Sequence, residues 1–179
     1  MDYTGLKNNI IDVLKEEQIK LGYRSETVRL YYPLLSLNRF LSTNYDINEM
    51  NTALQEFCGE VKEIFGDVTI SNVKERFCFT FPPQTSDYVH TNMGNTEFIA
   101  DFIQTISKHD AKIEEIIQLF QKYSDHVHFE KVTHGEFDYL LYFEDGKPDE
   151  FRYCITDEGC HMIYHRFTID DYQDFGFEP

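Results

Sequence analysis

The chain has 179 residues and a formal net charge of −16, from 16 Lys and Arg against 32 Asp and Glu. A surface that acidic repels phosphate backbones and anionic bilayers, which argues against nucleic acid and membrane as partners. Its 41% hydrophobic and 16% aromatic content suffices for a packed core, and the length suits one domain, or two small ones.

The charge is uneven. Residues 1–50 hold 6 basic and 7 acidic side chains, and residues 51–179 hold 10 and 25. The opening MDYTGLKNNIIDVLKEEQ has no basic start and no apolar run, so no signal peptide is expected. No segment has the apolar length of a membrane span. The expected location is the cytoplasm. Cys58, Cys78, Cys154 and Cys160 have no Cys-x-x-Cys spacing and read as free thiols in a reducing compartment.

In chain order, Leu6, Ile10, Val13, Leu14 and Leu21 share a stripe and predict a helix, with Gly22 as its stop. Ser25 predicts an N-cap for a helix through Tyr31. Pro33 disfavours helix at Tyr32 and can open a further short helix through Phe40 and Leu41. The same stretch concentrates Arg24, Arg29, Tyr31, Tyr32 and Arg39, with Tyr23 beside them. Clustered Arg and Tyr suit an anion pocket or an interface hot spot. The competing expectation is that these arginines pair with the acidic remainder. The stretch LGYRSETVRLYYPLLSLNRFL, with the length and acidity of the whole, resembles an uncharacterised family of small proteins from Firmicutes. That family carries an unknown-function label, so the resemblance implies no activity and no site residue.

Asp46 and Glu49 form a capping-box start. Met50, Leu54, Phe57, Val61, Ile64 and Phe65 then repeat at helical steps until Gly66. Val68 to Phe81 reads as a hairpin with Phe77, Phe79 and Phe81 on one side and Cys78 and Thr80 on the other. Residues 82–94 show no period and read as the longest loop and a possible sub-boundary. Two helices follow. Phe98, Ile99, Phe102, Ile103 and Ile106 mark the first, with Asn95 or Thr96 as cap. Ile113, Ile116, Ile117, Phe120 and Tyr123 mark the second, with Asp110 as cap.

His126 to Phe167 reads as an antiparallel sheet, with turn signals at Asp145-Gly146-Lys147-Pro148 and Asp157-Glu158-Gly159. Placing Phe143 opposite Phe151, and Ile155 opposite His161, makes one apolar face. It carries Phe137, Tyr139, Leu141, Phe143, Phe151, Tyr153, Ile155, Ile163 and Phe167. Val127 and Phe129 join it opposite Leu141 and Tyr139. The other face, including Leu140, Tyr142, Cys154, Met162 and Tyr164, is expected to be wet. The tail TIDDYQDFGFEP is acidic, and its aromatic residues suggest docking. The fold class is α+β: about five helices packed on one face of an antiparallel meander, with an additional hairpin in the N-terminal half. The whole is expected to be a single domain.

Chemistry is sparse. Cys160, His161 and His165 suggest a metal in print. Strand alternation turns Cys160 away from both histidines, and zinc needs three or four converging ligands. Cys154 or Cys160 beside a histidine is the available nucleophile. No Gly-x-Ser-x-Gly elbow and no phosphate-binding loop occurs. No cofactor is expected. The favoured function is a non-enzymatic protein that meets a basic protein partner through an acidic surface including Asp170, Asp171 and Asp174. The alternative is a small enzyme, or an anion- or ligand-binding protein with a pocket near Tyr23–Arg39. Nothing in the sequence fixes an oligomeric state.

Overall fold

The structure is a computed structural model that describes residues 1–133 and 135–168. The chain divides into two compact units, residues 1–94 and 95–179. Each has its own antiparallel sheet, which makes the protein α+β.

The first unit opens with α1 (Thr4–Leu21), then β1 (Val28–Pro33), α2 (Leu34–Phe40) and α3 (Ile47–Phe65). A hairpin of β2 (Thr69–Val73) and β3 (Arg76–Phe81) follows, and α4 (Pro83–Thr91) closes the unit. Helix α3 starts where its capping box requires. Asp46 Oδ1 accepts from the Asn48 and Glu49 amides, and Glu49 Oε2 accepts from the Asp46 amide. Its apolar stripe meets the phenylalanines of β3: Phe57 lies against Phe79 at 6.2 Å and Phe65 against Phe81 at 5.9 Å between ring centroids. Leu6, Ile10 and Leu14 of α1 complete this core. Val13 and Leu21, expected on the same stripe, are exposed.

Two readings of this unit are corrected. Residues 28–33 form a strand and not a helix capped by Ser25. Val28-Arg-Leu-Tyr-Tyr favours extended backbone, and β3 needs a second partner; β1 pairs with it from Val28↔Phe81 to Pro33↔Arg76. The sheet order is β1-β3-β2, so both outer strands are edges. Residues 82–94 are not one long loop: 83–91 form α4, and only 92–94 continue outside it. Pro83 takes the first helical position, which suits a residue without an N–H. The buried side of α4 is Thr85, Ser86 and Val89, too polar to register as apolar period. Thr85 donates to the Phe65 carbonyl at 2.7 Å and so ties α4 to the end of α3.

The second unit runs α5 (Glu97–Ile106), α6 (Ile113–Tyr123), β4 (Val127–Lys131), β5 (Tyr139–Phe143), β6 (Arg152–Asp157) and β7 (Met162–Phe167). The strands lie in chain order. Phe98, Phe102 and Phe120 of the helices surround Tyr153 at 4.6–5.9 Å. Asp110 does not cap α6. That position is Lys112, and the Asp110 amide donates to the Cys160 carbonyl at 3.1 Å.

The pairing of β5 with β6 is as expected, with Leu141 opposite Tyr153. Strand β4 is displaced by two residues, which preserves its faces. The last register differs. Ile155 lies opposite Tyr164, not His161, because the turn before β7 holds four residues, Glu158 to His161. A displacement of three residues exchanges the faces of β7. Met162 and Tyr164 turn inward, and Ile163 is exposed. The opposite face is not uniformly wet either. Phe137, expected on the inner face beside Tyr139 and Leu141, is instead buried there with Leu140 and Cys154, and Val132, Tyr142 and Phe167 pack against them. Tyr139 and Tyr142 are both half-buried. The tail, with Asp170, Asp171, Asp174, Tyr172, Phe175 and Phe177, lies outside the described residues, as does His134.

Candidate functional site

The inner face of the first sheet is closed by α1 and α3. Its outer face is built by alternation from three rows across β1, β3 and β2: Arg29–Thr80–Thr69, Tyr31–Cys78–Ser71 and Pro33–Arg76–Val73. Tyr31 is 53% exposed and Val73 79%. The Arg76 guanidinium carbon lies 5.1 Å from the centroid of the Tyr31 ring, a cation–π contact that orients both groups. These nine residues include two guanidinium groups and no carboxylate, in a chain with twice as many acids as bases. Neither Arg29 nor Arg76 is in a salt bridge among the described residues. The Tyr and Arg side chains and the lack of acids match the centre of an interface.

The five arginines and tyrosines expected to cluster are distributed by the strand. Arg29 and Tyr31 share the outer face. Tyr32 points inward and is buried against Phe40 and Phe79. Its hydroxyl donates to Asn9 Oδ1 at 2.8 Å, and burial holds that hydroxyl well above the usual tyrosine range. Arg39 lies half-buried on α2 and is engaged. Arg24 lines a crevice of about 350 Å³, open mouth included, with Glu17, Gln18, Gly22, Glu26 and Ser86. Gln18 Nε2 donates to the Ser86 carbonyl at 2.9 Å, and Gln18 Oε1 is buried without a partner among the described residues. Tyr23 stacks on His90 at 4.0 Å and donates to Asp87 Oδ1 at 2.7 Å. That bond holds the Asp87 carboxyl below its ordinary value.

Arg76 and Val73 are not among the residues expected to cluster. Half of the signal was present, since alternation from Phe77, Phe79 and Phe81 sends Arg76 and Cys78 to the far side. The missing half was β1, without which Arg29 and Tyr31 have no place on that side.

In the second unit His128 stacks on Tyr142 at 4.6 Å, and Arg152 lies over the other side of the row at 4.4 Å. His165 pairs across the ladder with Cys154. Cys160 and His161 lie in the turn before β7, where strand alternation does not apply. No group of three or more His, Cys, Asp or Glu able to hold a metal occurs among the described residues. No helix of these residues is long and apolar enough to cross a membrane.

The protein is thus an α+β chain of two sheet-and-helix units, the first of which leaves one sheet face open. It belongs to the family described as "Domain of unknown function, E. rectale Gene description (DUF3877)", which matches residues 3–176. The resemblance to an uncharacterised Firmicutes family therefore holds. No curated protein and no solved structure matches the chain.

Proposed function

We propose that this is a non-enzymatic interaction protein that holds a protein partner on the outer face of β1-β3-β2. The observation that carries the reading is the exposed Tyr31–Arg76 pair, flanked by Arg29, Pro33 and Val73 on a sheet face free of carboxylates. Tyr and Arg give large contact energies at a desolvated centre, and two guanidinium groups outside any salt bridge among the described residues suit a partner surface with acidic groups around an apolar patch.

A second reading keeps the basic partner expected from net charge and places it on α3. Glu49, Glu56, Glu60 and Glu63 fall on one exposed stripe of that helix, so a basic segment laid along it would meet successive carboxylates.

The two are separated by a photo-crosslinking residue placed at position 31 and, in a second variant, at position 60, in cells that make the protein. The expected result is a discrete adduct from position 31, abolished by Arg29→Glu with Arg76→Glu. An adduct from position 60 alone favours the basic partner. No adduct at either site defeats both readings.

A further inference from the structure

We propose that Cys160 is a nucleophilic thiol, served by His161 and Glu158, that undergoes thiol–disulfide exchange with low-molecular-weight disulfides. The three residues lie on the turn between β6 and β7. Cys160 is exposed, with its Sγ 3.3 Å from Nδ1 of His161. Nε2 of the same ring lies 2.8 Å from a carboxylate oxygen of Glu158. An ionised carboxylate only accepts hydrogen bonds. In the neutral imidazole the hydrogen then sits on Nε2 and the lone pair of Nδ1 faces the sulfur. Thiol, base and orienting carboxylate stand in the order that nucleophilic catalysis uses.

The backbone holds this order in place. The Glu158 amide donates to the His161 carbonyl at 3.0 Å, and the Gly159 amide donates to Asp157 Oδ1 at 2.8 Å. The Asp157 amide donates to Asp138 Oδ2 at 2.8 Å, and the Cys160 carbonyl accepts from the Asp110 amide. Gly159 sits at φ +90°, which side-chain-bearing residues rarely adopt. The other thiols lack these features. Cys154 is buried, and burial pushes its thiol up to about 12. Burial also raises the thiol of half-buried Cys58. Cys78 is half-buried on the open sheet face.

The step balances without a further reactant. Sγ of Cys160 attacks one sulfur of R–S–S–R′ as its proton passes to Nδ1 of His161. A Cys160–S–S–R bond forms, the original S–S bond breaks, and the departing R′–S⁻ takes the proton from His161 to leave as R′–SH. Cys160 is oxidised to the mixed disulfide while the R′ sulfur is reduced. The bland alternative is an exposed ion pair of Glu158 and His161 that happens to adjoin a thiol.

The test uses the reduced full chain and 4,4′-dithiodipyridine, a neutral disulfide that the chain's negative field does not repel. One thiol per chain should react ahead of the other three, map to Cys160 by mass spectrometry, and vanish in Cys160→Ser. Glutathione disulfide should thiolate the same residue. His161→Gln should slow the fast phase about tenfold, below the range of bases in closed sites, with unchanged circular dichroism. Added imidazole should restore part of the rate. Glu158→Gln should slow it less. A fast label on another cysteine, or a wild-type rate in His161→Gln, overturns the proposal.

Discussion

Tyr153 heads the large, fully buried side chains among the described residues. It is fully buried among Phe98, Phe102, Phe120 and Tyr164, and its hydroxyl donates to Asp149 Oδ2 at 3.0 Å. Tyr153→Ala should cost about 3–5 kcal/mol, the range for large aromatic truncations. Tyr139 is only partly buried, and its ring contact among the described residues is a stack on Phe129 at 6.0 Å, so Tyr139→Ala should cost about 1 kcal/mol. Urea midpoints at equal slope compare the two; a loss at Tyr139 as large as that at Tyr153 would contradict the packing. Cys154 gives a second residue-scale expectation. Its thiol ordinarily ionises near 9.0 and is held up to about 12 by burial in the fold. The unfolded chain releases this proton first, so the contribution is whole below about pH 9 and is lost as pH rises towards 12. Cys154→Ala should flatten the decline of stability over that window, read from melting temperature against pH. An unchanged slope would show that the thiol does not govern it.

At the scale of elements, the parts legible in the sequence were those whose signal is local. Helix α3 was readable at both ends because Asp46 and Glu49 cap each other and Gly66 takes φ +79°. Asp46→Ala should therefore lower stability by about 1 kcal/mol, measured by chemical denaturation; no loss would mean that the cap bonds are replaced by water at no cost. Gly66→Ala adds strain and a contact, since a Cβ there meets Gln84 Oε1 at 2.7 Å and Pro82 Cγ at 3.0 Å. What could not be read was set by partners distant in sequence. Strand β1 is extended because β3 lies beside it, and local capping at Ser25 pointed the other way. Helix α4 hides its buried face in Thr85 and Ser86, whose hydroxyls find the Phe65 and Glu26 carbonyls. The β7 faces turned on one extra residue in a turn. The candidate site inherits these limits: Arg29, Tyr31 and Tyr32 are neighbours in sequence, and only the β1–β3 pairing sends Tyr32 to the other side of the sheet.

For the whole molecule, the division into two units has a direct consequence. The first unit's buried cluster lies wholly within residues 3–89, and each unit owns a complete sheet. Residues 1–94 made alone should unfold cooperatively in urea, with a folded near-ultraviolet spectrum from Tyr3, Tyr32 and the β3 phenylalanines. A non-cooperative fragment that binds hydrophobic dyes would mean that this core is not self-sufficient. The acidic excess makes a separate statement. Replacing Glu56, Glu60 and Glu63 together by Gln should leave the fold intact, since their side chains lie on the exposed stripe of α3. Capture of a basic partner on this stripe would fall with that change and with added salt, because exposed charges are screened beyond about 10 Å at 0.1 M ionic strength. Binding indifferent to both would remove α3 from consideration.

Among the described residues the sheet of the first unit ends in an unpaired strand on each side, and β2 has neither proline nor a charged side chain within its five residues. Bare edges of this kind are templates for further strands. Electrostatic repulsion between copies is then a colloidal safeguard, and it fails near the isoelectric point of about 4.7. Light scattering from a concentrated solution should peak near that pH while far-ultraviolet dichroism still reports the native chain. Scattering that grows only after the chain has melted would mean that the strand edges are harmless.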